Sequence, residues 1–82
     1  MTLEQAMSAS PYETAEIETE EPTIVIGPDE EDGGYWVSFQ KGAMPPYSTD
    51  RANTIDGAKQ IIAASAYASA LDSDKWEPVE GE

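Results

Sequence analysis

The densest chemistry in this chain is carboxylate. Asp29-Glu30-Glu31-Asp32 sets four acids in a row, and Glu4, Glu13, Glu16, Glu18, Glu20 and Glu21 precede them without a single base. Hard cations such as calcium or magnesium need several carboxylate oxygens converging on one point. An EF-hand loop achieves this with acids at alternate positions, a Gly at the sixth and a Glu at the twelfth, whereas here consecutive acids run into Gly33-Gly34. The run therefore reads as a solvated hairpin tip, with no metal and no cofactor expected. Paired carboxylates also perform acid and base work on glycosidic bonds, but those pairs sit in the cleft of a much larger fold. Gly33-Gly34 read as turn residues and not as a phosphate cradle, because the surrounding negative charge would repel phosphate. With no His and no Cys, imidazole bases, thiol nucleophiles, disulfides and the usual zinc ligand sets are all removed. The composition points away from an enzyme.

Charge points instead to a partner. Seventeen acids against four bases give a net charge of −13 on 82 residues, which excludes a protein that grips phosphates directly. The charge is arranged in blocks: residues 1–32 carry −10, residues 33–71 carry +1 and residues 72–82 carry −4. Carboxylates steer a basic partner and set its register, while aromatic side chains at a surface serve as contact anchors. Glu18, Glu20, Glu21, Asp29, Glu30, Glu31 and Asp32 are the candidate charges, with Trp36 and Tyr47 as candidate anchors. Tyr12, Tyr67 and Trp76 also lie away from the apolar pattern. The competing structural reading has Trp36 and Trp76 packing against each other or against the N-terminal residues.

The elements that must position these groups come from a chain near the lower size limit for independent folding, which leaves room for one domain. Residues 1–22 hold Pro11, Pro22 and alternating Glu and Thr with few large apolar groups, and read as a flexible acidic arm. A short helix from Thr2 is compatible with the capping-box spacing of Thr2 and Gln5 and the shared face of Leu3, Ala6 and Met7. Residues 23–71 read as the folded domain. Thr23-Ile24-Val25-Ile26-Gly27 and Tyr35-Trp36-Val37-Ser38-Phe39 are two strands joined by the acidic turn, with Tyr35, Val37 and Phe39 toward the core and Trp36 and Ser38 opposite. Pro45-Pro46 break the chain, and Tyr47-Ser48-Thr49 can add an edge strand. Asn53 or Thr54 caps a helix whose apolar arc runs through Ile55, Ala58, Ile61, Ile62, Ser65, Ala66 and Ser69. Residues 72–82 read as an acidic tail. The expected fold is α+β, an antiparallel hairpin or three-stranded meander packed against one C-terminal helix.

From Thr23 to Leu71, the strand, the acidic turn, Gly33-Gly34-Tyr35-Trp36-Val37-Ser38-Phe39 and the helix opening Thr54-Ile55-Asp56-Gly57-Ala58 together resemble the HicB-type antitoxin fold. That family has a glycine-rich turn into a Tyr-x-Val-x-Phe strand and a Thr-Leu-Glu-Glu-Ala-like helix start. Gln40-Lys41-Gly42-Ala43-Met44-Pro45-Pro46 stands where the family has Pro-Asp-x-Pro-Gly, and no DNA-binding segment follows the helix. The resemblance implies neutralisation of a small basic RNase toxin, and these two departures remove the support for the family's autorepression. In size and charge the chain is also similar to acidic proteins of phages and mobile elements that occupy the nucleic-acid sites of defence machinery, anti-CRISPR proteins among them. The expected partner is a basic protein surface, with no direct contact with nucleic acid, from the net charge, or with membrane, from the lack of a long apolar run, and the expected state is a monomer or weak homodimer. The lack of a membrane-length apolar run and of a signal peptide places the expected protein in the cytoplasm.

Overall fold

Alternation of apolar residues along the chain builds the sheet. In the computed structural model, which describes residues 1–41 and 48–80, strands β1 (Ala15–Glu18), β2 (Thr23–Pro28), β3 (Tyr35–Gln40), β4 (Ser48–Ala52) and β5 (Glu77–Pro78) form one antiparallel sheet in the order β4-β3-β2-β1-β5. Helices α1 (Leu3–Ala9) and α2 (Ile55–Ala63) and a short 3-10 helix (Ala68–Asp72) complete the elements of the described residues. The class is α+β, with a wider sheet than a hairpin or meander. The central pairing runs from Thr23 opposite Gln40 to Pro28 opposite Tyr35. Side chains alternate across a strand. Ile24 and Ile26 of β2 therefore share a face with Val37 and Phe39 of β3 and with Ala15 and Ile17 of β1, and all six are buried. The same cluster takes in Leu3 and Ala6 of α1, Ala58 and Ile62 of α2, Ala70 and Trp76, so the helices cover this one face.

Three expectations are corrected. The first concerns residues 1–22, which supply α1 and β1 rather than an arm. Thr2 Oγ1 accepts the Gln5 N–H at 3.3 Å and Gln5 Oε1 accepts the Thr2 N–H at 3.0 Å, closing the capping box. A seven-residue helix is marginal alone. Here it is held by burying Leu3 and Ala6, with Leu3 worth about 1.5–3 kcal/mol of transfer free energy. Ala15-Glu16-Ile17-Glu18 carries the two-residue period of a half-buried strand, and its apolar members enter the core.

The second correction is the end of the long helix. Thr54 is the cap, its Oγ1 accepting the Gly57 N–H at 3.0 Å, but α2 stops at Ala63. Ser65 Oγ donates to the Ile62 carbonyl at 2.6 Å and accepts the Tyr67 N–H at 3.1 Å, so its side chain competes with the helical ladder. Ser65 and Ala66 fall in a turn, and Ser69 in the 3-10 helix.

The third is the tail. Trp76 is 1% exposed, and its Nε1 donates to the Ala70 carbonyl at 2.7 Å. The backbone then runs along β1 as β5, and the Val79 N–H donates to the Thr14 carbonyl at 2.9 Å. A single large indole outweighs the surrounding acids because they stay in solvent while it is buried. One domain thus spans the described residues. Among them no helix is long and apolar enough to cross a membrane.

Candidate protein interaction surface

None of the described carboxylates is buried. The fold leaves the acids outside and sorts them by what the backbone does around them.

At one end of β2 the chain turns through Asp29–Gly34. Gly34 adopts φ +79°, and a Cβ there would lie 2.4 Å from the Ala52 carbonyl oxygen, so both conformation and space demand glycine. The Asp29 N–H donates to the Gly34 carbonyl at 2.9 Å, and Asp29 Oδ1 accepts the N–H groups of Glu31 at 3.0 Å and Asp32 at 3.2 Å. Arg51 of β4 reaches across to pair with Asp29 and, at 2.8 Å, with Asp32. The Asp32 N–H above all, then the Glu31 N–H and Arg51, hold the Asp29 carboxyl below the usual range, and the same carboxylates raise Arg51. Two of the four consecutive acids are therefore occupied in shaping the turn, leaving Glu30 and Glu31 pointing outward. Among the described residues no group of three or more acids is arranged to hold a metal ion.

At the other end of β2 the turn is closed by a hydroxyl. Thr19 Oγ1 donates to the Pro22 carbonyl at 2.8 Å and accepts the Glu21 N–H at 3.2 Å. Glu20 and Glu21 are left exposed, and Glu21 accepts the Tyr67 hydroxyl at 3.0 Å. Glu18, Glu20 and Glu21 line one side of a groove of about 700 Å³, whose other side is built by Ala66, Tyr67, Ala70 and Lys75. The Tyr67 ring is fixed against Phe39, with centroids 6.2 Å apart.

The seven candidate carboxylates thus form two groups separated by the length of β2, about 17 Å from the rise of an extended chain. Between them runs the sheet face that the helices do not cover, where Glu16, Glu18 and Glu77 project beside Val25 and Trp36. Trp36 lies half-buried on this face. Its Nε1 donates to the Pro28 carbonyl at 3.0 Å and its ring packs on Gly27, where a Cβ would come within 3.1 Å of Cζ2. Trp36 is thereby pinned to its own hairpin, presenting one face of the indole. Trp76 is on the opposite side of the sheet in the core, so the two tryptophans do not pack together. Tyr47 lies outside the described residues. Tyr12 is exposed, at 50%.

Of four cations, Arg51 serves the first turn and Lys59 pairs with Glu4 of α1, a hydrogen bond that holds the Glu4 carboxyl below its ordinary value. The groove and its Tyr67 wall are absent from the sequence reading. Their only linear trace is that Tyr67 follows four residues after the last turn of α2, where an unbroken helix would turn it to solvent. No family model matches the chain, and no curated protein and no solved structure matches it.

Proposed function

We propose that this protein is a non-enzymatic inhibitor of mobile-element type, acting in the cytoplasm by occupying the basic, nucleic-acid-binding surface of a host defence or regulatory protein as a nucleic-acid mimic. One observation carries the reading: in a chain of net charge −13, nine of the 17 acids are carboxylates that the core does not use, grouped at both ends of one strand and along the face between them. Such an array attracts a cationic groove and hinders its polyanionic ligand from entering. Glu18, Glu20 and Glu21 at one end and Glu30 and Glu31 at the other are the outward charges, and the exposed face of Trp36 is the anchor beside them.

The test is capture and release. The immobilised protein is exposed to a nuclease-treated lysate of its own cell, and bound proteins are challenged with duplex DNA or structured RNA. Retained nucleic-acid-binding proteins should be displaced by the polyanion and by salt rising to about 1 M, where the Debye length is about 3 Å. Retention that neither treatment disturbs would end the reading.

A second reading, a HicB-like antitoxin, draws support from where its motif residues fall: Tyr35, Val37 and Phe39 on one strand, and Thr54 at the cap of α2. Addition of a small basic RNase separates the two. An antitoxin suppresses RNA cleavage at one-to-one stoichiometry, whereas a mimic of a different site leaves cleavage unchanged.

A further inference from the structure

The groove beside β1 contains an unfinished sheet edge. β5 pairs with only half of β1, setting Pro78 opposite Ala15 and Glu77 opposite Glu16. In an antiparallel sheet, successive residues send their N–H and C=O to alternate neighbours. Two bonds fix the alternation here: the Thr14 carbonyl accepts from Val79 on the β5 side at 2.9 Å, and the Thr19 N–H donates to Pro22 on the β2 side at 3.1 Å. Even-numbered residues of this stretch therefore face β5 and odd-numbered ones face β2. Glu18 is the next even position, and the β5 register would place Lys75 opposite it. The chain has already left the edge there, with the Lys75 N–H donating to Ser73 Oγ at 3.1 Å and the Trp76 N–H to the Met1 carbonyl at 3.0 Å. The main-chain N–H and C=O of Glu18 consequently open into the groove of about 700 Å³.

We propose that this groove receives an extended, cationic segment of the partner protein, which continues the sheet where β5 stops; the proposal rests on the reading of a basic partner and names how that partner is held. Edge strands with unused main-chain groups are where extended peptides add. Charge selects the occupant, because Glu18, Glu20 and Glu21 stand along the slot against Lys75 alone. Pleating selects its pattern. The residue opposite Glu18 lies on the Glu18 side of the sheet, while its two neighbours point toward Ile17, Tyr67 and Ala70. A segment alternating Lys or Arg with small apolar residues fits both sides.

The full chain is titrated with a Lys-Val-Lys-Val-Lys peptide blocked at both ends, and with a helix-forming peptide of equal charge. The extended peptide should bind more tightly and slow hydrogen exchange of the Glu18 amide about tenfold or more. Glu18→Gln removes the charge only, whereas Glu18→Pro also removes the edge donor at a place where an edge strand tolerates proline. E18P should therefore weaken binding about 5- to 10-fold beyond E18Q, the worth of one main-chain hydrogen bond. Equal affinity of the two variants overturns the slot, and so does an unprotected Glu18 amide in the saturated wild-type complex, a readout that stands even if E18P fails to fold. Absence of any peptide binding also overturns it, while the capture-and-release experiment continues to decide the charge reading separately. Undiminished binding by an E18Q/E20Q/E21Q triple variant overturns the cationic occupant.

Discussion

The two turns that flank β2 carry similar charge and treat it differently. In the turn from Asp29 to Gly34, the first and last acids of the run are drawn into the turn by two backbone N–H groups and by Arg51. In the turn from Thr19 to Pro22, a threonine hydroxyl does the equivalent work, and Glu20 and Glu21 remain on the outside beside a groove. Carboxylates are good acceptors for the exposed amides of a tight turn, so an acid at the first position of such a turn is spent locally. A hydroxyl in that position frees the acids that follow. Charge density in a sequence therefore overstates the charge available to a partner, and the residue that closes each turn decides by how much.

The comparison breaks most severely if Ala70, which lines the groove, loses the core side chain bonded to its carbonyl. Trp76→Ala removes a buried indole and its bond to Ala70, which should cost about 3–5 kcal/mol of unfolding free energy and bring the domain close to its stability limit. Urea denaturation measures the loss, and hydrogen exchange should show β1 and β5 opening before β3 and β4. A loss under about 1 kcal/mol would show that the C-terminal residues are not part of the core. At the opposite end of β2 the sensitive position is Gly34. Gly34→Ala combines positive φ with a clash against the Ala52 carbonyl and should cost about 1–3 kcal/mol. Gly33→Ala shares the conformation, at φ +75°, but meets nothing within 4 Å, so it should cost less. Identical losses for the two variants would remove the close approach of the turn to β4 from the account.

Charge variants sharpen the same contrast. The Glu20→Gln, Glu21→Gln pair should weaken binding to a cationic partner about 3- to 10-fold at low salt while leaving stability nearly unchanged. The Asp29→Asn, Asp32→Asn pair should do the reverse, changing affinity little and lowering the thermal midpoint. Calorimetric titration and thermal melts on the same four-residue set decide it, and equal effects of both pairs on affinity would mean that the turn does not sequester its acids.

The hairpin was legible because its signals are local: β-branched and aromatic residues in alternation, bounded by prolines and a Gly-Gly turn. So was the cap of α2 at Thr54. What the sequence concealed is cooperative. Leu3 and Ala6 make a helix worth forming only when β5 and the sheet are there to cover them, and β5 has only two residues, one of them proline. Ala15-Glu16-Ile17-Glu18 alternates correctly, but its high charge and short length imitate a disordered segment until β2 pairs with it. The extended arc assigned to α2 followed a correct period past the point where the Ser65 side chain ends the ladder. Of the candidate carboxylates, exposure was readable from composition, whereas the division into two groups followed from the sheet register. The groove needed Tyr67 and Lys75 to return from distant sequence.

The finest distinction between the turns is in their acid response. Asp29 has its carboxyl held below the unfolded value by the Asp32 and Glu31 N–H groups and by Arg51. A carboxylate depressed in the folded state binds its proton more weakly than in the unfolded chain, so its contribution to stability is complete above the unfolded value and declines as pH falls through the folded one. Asparagine at position 29 keeps an oxygen for the two backbone N–H groups but does not titrate and does not pair with Arg51. The gap in thermal midpoint between wild type and Asp29→Asn should therefore be widest near neutral pH and close as pH falls below the ordinary Asp value of about 3.9. A gap that stays constant down to about pH 2.5, well below that reference, would assign the stabilisation to packing of the turn and not to the ionised carboxylate.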